Sequence, residues 1–139
     1  MKHYATFVLL WLGFFGCSAS LAVEPSDDDA YQTSVGSDGI QHATIVGGSY
    51  FFRPQRVIVK VNVPVELEVS LEKGVIPHTL VIQAPDAGIA VDEKLSTEVK
   101  KIRFTPMATG TYSFYCKNKL LIFKSHREKG MEGMLEVVK

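Results

Sequence analysis

Among the residue types that hold soft metal ions, four side chains single themselves out: His78, Cys116, His126 and Met131. Two imidazoles, a thiol and a thioether form a donor set suited to copper in both of its oxidation states, with the thioether as a weak, long axial donor. Cu(I) prefers sulfur and few ligands, whereas Cu(II) prefers nitrogen and tetragonal geometry. A rigid frame that fixes three strong donors and one weak one lets neither state rearrange much, so an electron is gained or lost quickly. With all four positions taken by protein, none is left for a substrate, in contrast to a catalytic metal centre. The expected cofactor is therefore one copper ion, alternating between Cu(I) and Cu(II). The expected activity is electron transfer rather than enzymatic catalysis. Taken singly, each residue has a plainer reading: a buried thiol at a strand end, a hydrogen-bonded core histidine, a surface histidine in a basic loop. The three readings stand or fall together.

The elements that must position these residues are strands. Cys116 ends the alternating run Gly110-Thr-Tyr-Ser-Phe-Tyr, and the loop that follows carries His126 and Met131. His78 lies far upstream, in Gly74-Val-Ile-Pro-His78. Val65, Leu67, Val69 and Leu71 alternate with Glu66, Glu68, Ser70 and Glu72, the pattern of a half-buried strand whose glutamates face water. Val57 to Val63 forms a second run, which Pro64 separates from the first. Further strands are expected at Thr44 to Val46, Tyr50 to Phe52, Thr79 to Ile82, Glu98 to Phe104, Thr111 to Tyr115 and Met134 to Val138. A phase slip between Val99 and Ile102 suggests a bulge. Asp86 to Ser96 is the one segment with room for a helical turn, although it reads more as a long crossing loop. About eight short strands with regular turn signals make an all-β sandwich or small barrel.

Over 139 residues the chain has 15 basic and 15 acidic side chains, so no global field steers it onto nucleic acid or membrane. Its first residues read as a targeting segment: Lys2 and His3, then the apolar run Ala5 to Phe15, then Ser20-Leu21-Ala22 as a cleavage site. Residues 1–22 are expected to be a signal peptide, which implies an exported, periplasmic protein. Phe14-Phe15-Gly16-Cys17 offers the alternative of a lipoprotein anchored to the membrane through Cys17. Cleavage after Ala22 leaves Cys116 as the single cysteine, and an unpaired cysteine in an exported domain is a reactive thiol, half of an intermolecular bridge or a metal ligand. Residues 23–39, with Asp27-Asp28-Asp29, read as a flexible acidic leader, and residues 40–139 as the folded domain.

At this point the sequence resembles the cupredoxins, the blue copper proteins such as plastocyanin, amicyanin and pseudoazurin. Gly110-x-Tyr112-x-Phe114-x-Cys116 is similar to their strand into the ligand loop. His126-x4-Met131-x-Gly133 is similar to their histidine, axial methionine and closing strand, and Gly74-x-x-Pro77-His78 to their upstream histidine. The resemblance covers residues 40 to 139 and implies a Greek-key sandwich with a type 1 copper site. On spacing it favours Met131 over Met134 as the axial ligand. Two departures stand out. Nine residues, Lys117 through Ser125, separate the cysteine from the histidine, a longer loop than in most members and closer to that of copper nitrite reductases. Thr79 stands where plastocyanin-like members carry an asparagine that ties the ligand loops, although its backbone N–H can still donate to the cysteine sulfur.

The resemblance implies a soluble one-electron carrier. The other readings are a protein for copper delivery or sequestration, or an accessory subunit of a respiratory or copper-enzyme complex. Trafficking proteins favour Met-rich or His-rich stretches, and this chain has none. In the family the downstream histidine presents its ring edge through an apolar patch. Here that places His126 beside Leu120, Leu121, Ile122 and Phe123, ringed by Lys117, Lys119, Lys124, Arg127 and Lys129, a surface for an acidic redox partner protein. The alternative for residues 117–125 is an extra hairpin strand packed on the sandwich.

Overall fold

A computed structural model of the protein describes residues 30–139. The expected signal peptide, Cys17 and the acidic triplet lie outside the described residues. Ten strands run in chain order: β1 Ala30–Gln32, β2 Gln41–Gly48, β3 Phe51–Arg53, β4 Arg56–Lys60, β5 Val65–Leu71, β6 Thr79–Ala84, β7 Ile89–Lys94, β8 Lys100–Phe104, β9 Gly110–Tyr115 and β10 Glu132–Val138. They form two sheets, one of six strands in the order β1-β4-β10-β9-β6-β7 and one of four in the order β3-β2-β5-β8. Both are mixed: β1 and β10 flank β4 in parallel, β2 runs parallel to β5, and the remaining pairs are antiparallel. This is the expected all-β sandwich.

The alternating runs explain the core. Val65, Leu67 and Val69 of β5 and Val57 and Val59 of β4 are all buried, each on the inner face of its strand. Between β4 and β5 the chain leaves one sheet for the other, through Asn62 in the left-handed region and Pro64. That is the break Pro64 signals in the sequence. Phe52 of the smaller sheet meets Phe114 of the larger one edge-on, ring centroids 5.6 Å apart, and so pins the sheets together two residues before Cys116. Gly133 lies opposite Phe114 in the β9–β10 ladder. A Cβ there would overlap the Phe114 ring and stand 2.6 Å from the Gln55 carbonyl oxygen, so only glycine fits.

Four expectations are corrected. The sheet starts before Ile40: Ala30–Gln32 pairs with Arg56–Ile58, inside the segment read as a flexible leader. Its partners are remote in sequence, so no local pattern announces it. Within Asp86 to Ser96, a short 3₁₀ turn at Pro85–Ala87 ends at Gly88 in the left-handed region, and the chain then returns as β7 along β6. The signal was there, in Ile89 and Val91 alternating with Ala90 and Asp92 after a Pro-Asp-Ala-Gly turn. Val99 is exposed and precedes β8, which alternates regularly from Lys100, so the apparent phase slip is a strand start. Glu66 is 1% exposed rather than solvated. Long side chains from the neighbouring strand cover it: Lys101 donates to it at 2.9 Å and Arg103 at 2.6 Å. Those two cations hold its carboxyl below the usual carboxylate range, Lys101 having the larger effect.

Candidate metal centre

The site forms at one end of the sandwich, where the larger sheet runs out. His78 immediately precedes β6, Cys116 immediately follows β9, and the neighbouring strands bring these two ends together. His126 and Met131 lie on the loop from β9 to β10. Backbone bonds close that loop on itself: His126 N–H donates to the Asn118 carbonyl at 2.9 Å, Met131 N–H to the His126 carbonyl at 3.0 Å, and Cys116 N–H to the Met131 carbonyl at 3.1 Å. The short 3₁₀ turn Arg127–Lys129 ends at Gly130, whose φ of 98° lets the chain reverse into β10.

Three donor atoms converge. Nδ1 of His78 lies 3.0 Å from Nδ1 of His126, and Sγ of Cys116 lies 3.8 Å from the first and 3.4 Å from the second. All three residues are buried. A triangle with these sides is the size that three donors make around one ion at metal–ligand lengths of about 2.0–2.3 Å. One thiol with two imidazoles is a soft set, which fits copper. Of the two candidate methionines, Met131 is 0% exposed and Met134 is 37% exposed, turned away from the core on β10. His42 lies elsewhere, half exposed beside Asp38 and Glu66.

The sulfur and the loops are fixed by Thr79 and Asn118. Thr79 N–H donates to Cys116 Sγ at 3.4 Å. Its hydroxyl accepts from Lys117 N–H at 3.2 Å and donates to Asn118 Oδ1 at 3.1 Å, while Asn118 Nδ2 donates to the Pro77 carbonyl at 2.8 Å. The tie between the His78 and Cys116 segments is therefore present, made by a threonine and an asparagine from opposite sides. Asn118 was not singled out in the sequence, because a single asparagine in a loop carries no signal.

His126 does not protrude. It is 5% exposed and lines the floor of a cleft of about 470 Å³ walled by Val75, Pro77, Leu120 and Phe123, with Tyr50 and Lys129 beside it. The Tyr50 ring meets it edge-on, and Leu120 and Phe123 of the long loop line the same cleft. Residues 117–125 form no strand, and their apolar side chains stay in solvent, Ile122 at 93% exposure and nearby Val75 at 99%.

Known structures share this architecture. The metal-binding domain of the Cu(I)-exporting P-type ATPase CopA of Streptococcus pneumoniae matches at 20% identity and a TM-score of 0.61, over 79% of this chain and 96% of that one. Auracyanin B matches at 20% identity and a TM-score of 0.53, over 70% of this chain and 88% of that one. The fold is that of the cupredoxins. The periplasmic domain of cytochrome oxidase subunit II of Bradyrhizobium japonicum matches this chain at 14% identity and a TM-score of 0.52, over 70% of this chain and 83% of that one. No family model and no curated protein matches the sequence.

Within this cupredoxin frame both imidazoles are poised to donate lone pairs. Burial pushes the His78 ring below the usual imidazole range, with His126 adding to it; burial and then Lys129 do the same to His126. The folded, metal-free protein thus takes up protons less readily than the unfolded chain. The stability that these two groups contribute is fully present above the usual imidazole value of about 6.5 and is lost as the pH drops below it towards the depressed folded values. Urea unfolding of the metal-free protein should show midpoints that decline between about pH 7 and about pH 5, with a smaller decline in a His78→Gln, His126→Gln variant. Equal slopes for the two proteins would contradict this assignment.

Proposed function

We propose that this chain is an exported copper protein that carries single electrons, with the ion held by His78, Cys116 and His126 and weakly by Met131. The observation that carries this reading is the buried triangle of two Nδ1 atoms and one Sγ at one end of the sandwich. Copper bound there supplies a one-electron couple. The protein's part is to hold the donors: Thr79 N–H aims at the sulfur, the Thr79–Asn118 tie joins the segments before His78 and after Cys116, and the closed loop fixes His126 to Met131. A set of donors that cannot spread changes little between oxidation states, which favours transfer over release. With Met131 as the fourth donor every strong position on the ion would be filled by protein, so we read the chain as a carrier rather than an enzyme.

A second reading is Cu(I) handling, favoured by the likeness to the CopA domain, which holds Cu(I). Reversible voltammetry of the copper-loaded protein separates the two. A carrier gives a one-electron wave that persists over many cycles with the copper retained. Loss of the ion to a mild chelator on reduction would instead support delivery.

The axial role has its own test. Met131→Leu should leave copper bound and raise the reduction potential, since a weak donor that favours Cu(II) is removed. Met134→Leu should leave the potential unchanged, because that side chain points outward from β10. The reverse result would move the role to Met134.

A further inference from the structure

Tyr50 stands where turn chemistry favours glycine or asparagine. It sits in the short link between β2 and β3 with a φ of 64°, in the left-handed region that bulky side chains rarely occupy. Such strain persists only where surrounding structure holds it, and it gathers at functional sites. What holds Tyr50 is its ring. It meets the His126 ring edge-on, centroids 5.0 Å apart and planes at 82°, and the His78 ring likewise at 6.1 Å and 89°. Lys129 secures it: Nζ lies 4.2 Å from the ring centroid and donates to the phenol oxygen at 3.1 Å.

Lys129 belongs to the 3₁₀ turn that follows His126, and its N–H donates to the His126 carbonyl at 3.1 Å. The same hairpin also bears on Met131, since a Cβ on Gly47 would lie 3.4 Å from Met131 Cε. His78 and Cys116 adjoin strands of the six-stranded sheet, whereas Tyr50 comes from the four-stranded one. The two imidazoles are therefore caught between the ligand loops and a turn of the opposite sheet.

We propose that Tyr50, clamped by Lys129, is a positioning residue that fixes both imidazoles of the metal centre and thereby raises its affinity for copper. This rests on the reading that the centre binds copper. With the aromatic ring in place, both Nδ1 atoms stay turned towards Cys116 Sγ before any ion arrives. Without it the rings gain freedom that binding must then remove, and affinity falls.

The test compares the mature, exported protein with Tyr50→Gly, Tyr50→Phe and Lys129→Met variants. Two quantities are measured: Cu(I) affinity by chelator competition, and imidazole order in the metal-free protein by NMR relaxation. Tyr50→Gly relieves the left-handed backbone but removes a ring packed against the core, so its urea midpoint should fall while the protein stays folded, and Cu(I) affinity should drop by about tenfold or more. Its imidazole rings should become less ordered. Tyr50→Phe should restore most of the affinity and ring order, and Lys129→Met should fall between. Should Tyr50→Gly not fold, Tyr50→Asn, which tolerates the same backbone, carries the comparison. Wild-type affinity and ring order in Tyr50→Gly would overturn the proposal, as would a loss that Tyr50→Phe does not restore. If the wild-type protein takes up no Cu(I), the copper reading fails on its own, and ring order in the metal-free variants still decides whether Tyr50 positions the histidines.

Discussion

Replacing Cys116 with serine is expected to abolish the intense visible absorption of the copper-loaded protein while leaving the sandwich intact. The band requires a thiolate bonded to the ion, and Cys116 is the only cysteine among the described residues. Its sulfur sits between the two imidazoles and accepts the Thr79 N–H. Serine is smaller by little and leaves the Phe52–Phe114 contact and the β9–β10 ladder untouched, so the urea midpoint should change by no more than about 1–2 kcal/mol in stability. Copper affinity should fall further than the roughly 10–100-fold typical of changes around a ligand rather than at one. Optical titration with Cu(II) and chelator competition with Cu(I) measure both effects. A Cys116→Ser protein that keeps the band would place the sulfur ligand elsewhere.

The second large effect concerns encounter with a partner. The apolar tip Leu120 to Phe123 stands in solvent beside the cleft that leads to His126, and cations surround it. Not all of them are free to act: Lys117 is paired with Asp92 and Arg127 with Glu132. Lys119, Lys124 and Lys129 remain; Lys129 is turned onto the Tyr50 ring, whereas Lys119 and Lys124 are felt by Glu128 in the same loop. Steering by such a local field raises association rates by about 10-fold or more at low salt and fades as the Debye length shrinks to about 3 Å at 1 M. Lys119→Glu with Lys124→Glu should therefore slow electron transfer to an acidic partner by about tenfold at low salt, with the optical spectrum unchanged. Lys117→Glu should act less, because its charge is already balanced. Stopped-flow rates against ionic strength check this. Rates flat in salt and insensitive to the pair would remove the docking role and leave the loop as a wall of the cleft.

What could be read in the sequence was whatever is written locally. His78, Cys116 and His126 announce themselves by type and order, because a ligand loop needs a strand end before it and a strand start after it. β5 announces itself by strict alternation. What could not be read depends on contacts between distant segments. β1 exists because Arg56–Ile58 offers it an edge, and nothing in Ala-Tyr-Gln says so. Glu66 looks solvated on its own strand and is buried by Lys101 and Arg103 of the next. Tyr50 reads as an ordinary strand residue, and only the fold reveals it in a left-handed turn against two imidazoles. The nine-residue loop was legible as an insertion, but not that it would line a cleft with His126 buried in it.

The central claim is that His78, Cys116 and His126 together hold one copper ion. The most direct measurement is the optical and electron-spin-resonance spectrum of the protein titrated with Cu(II). The structure predicts an intense thiolate-to-copper band that saturates at one equivalent and is bleached by one electron. Weak absorption alone, with the resonance signature of copper on nitrogen and oxygen ligands, would contradict it.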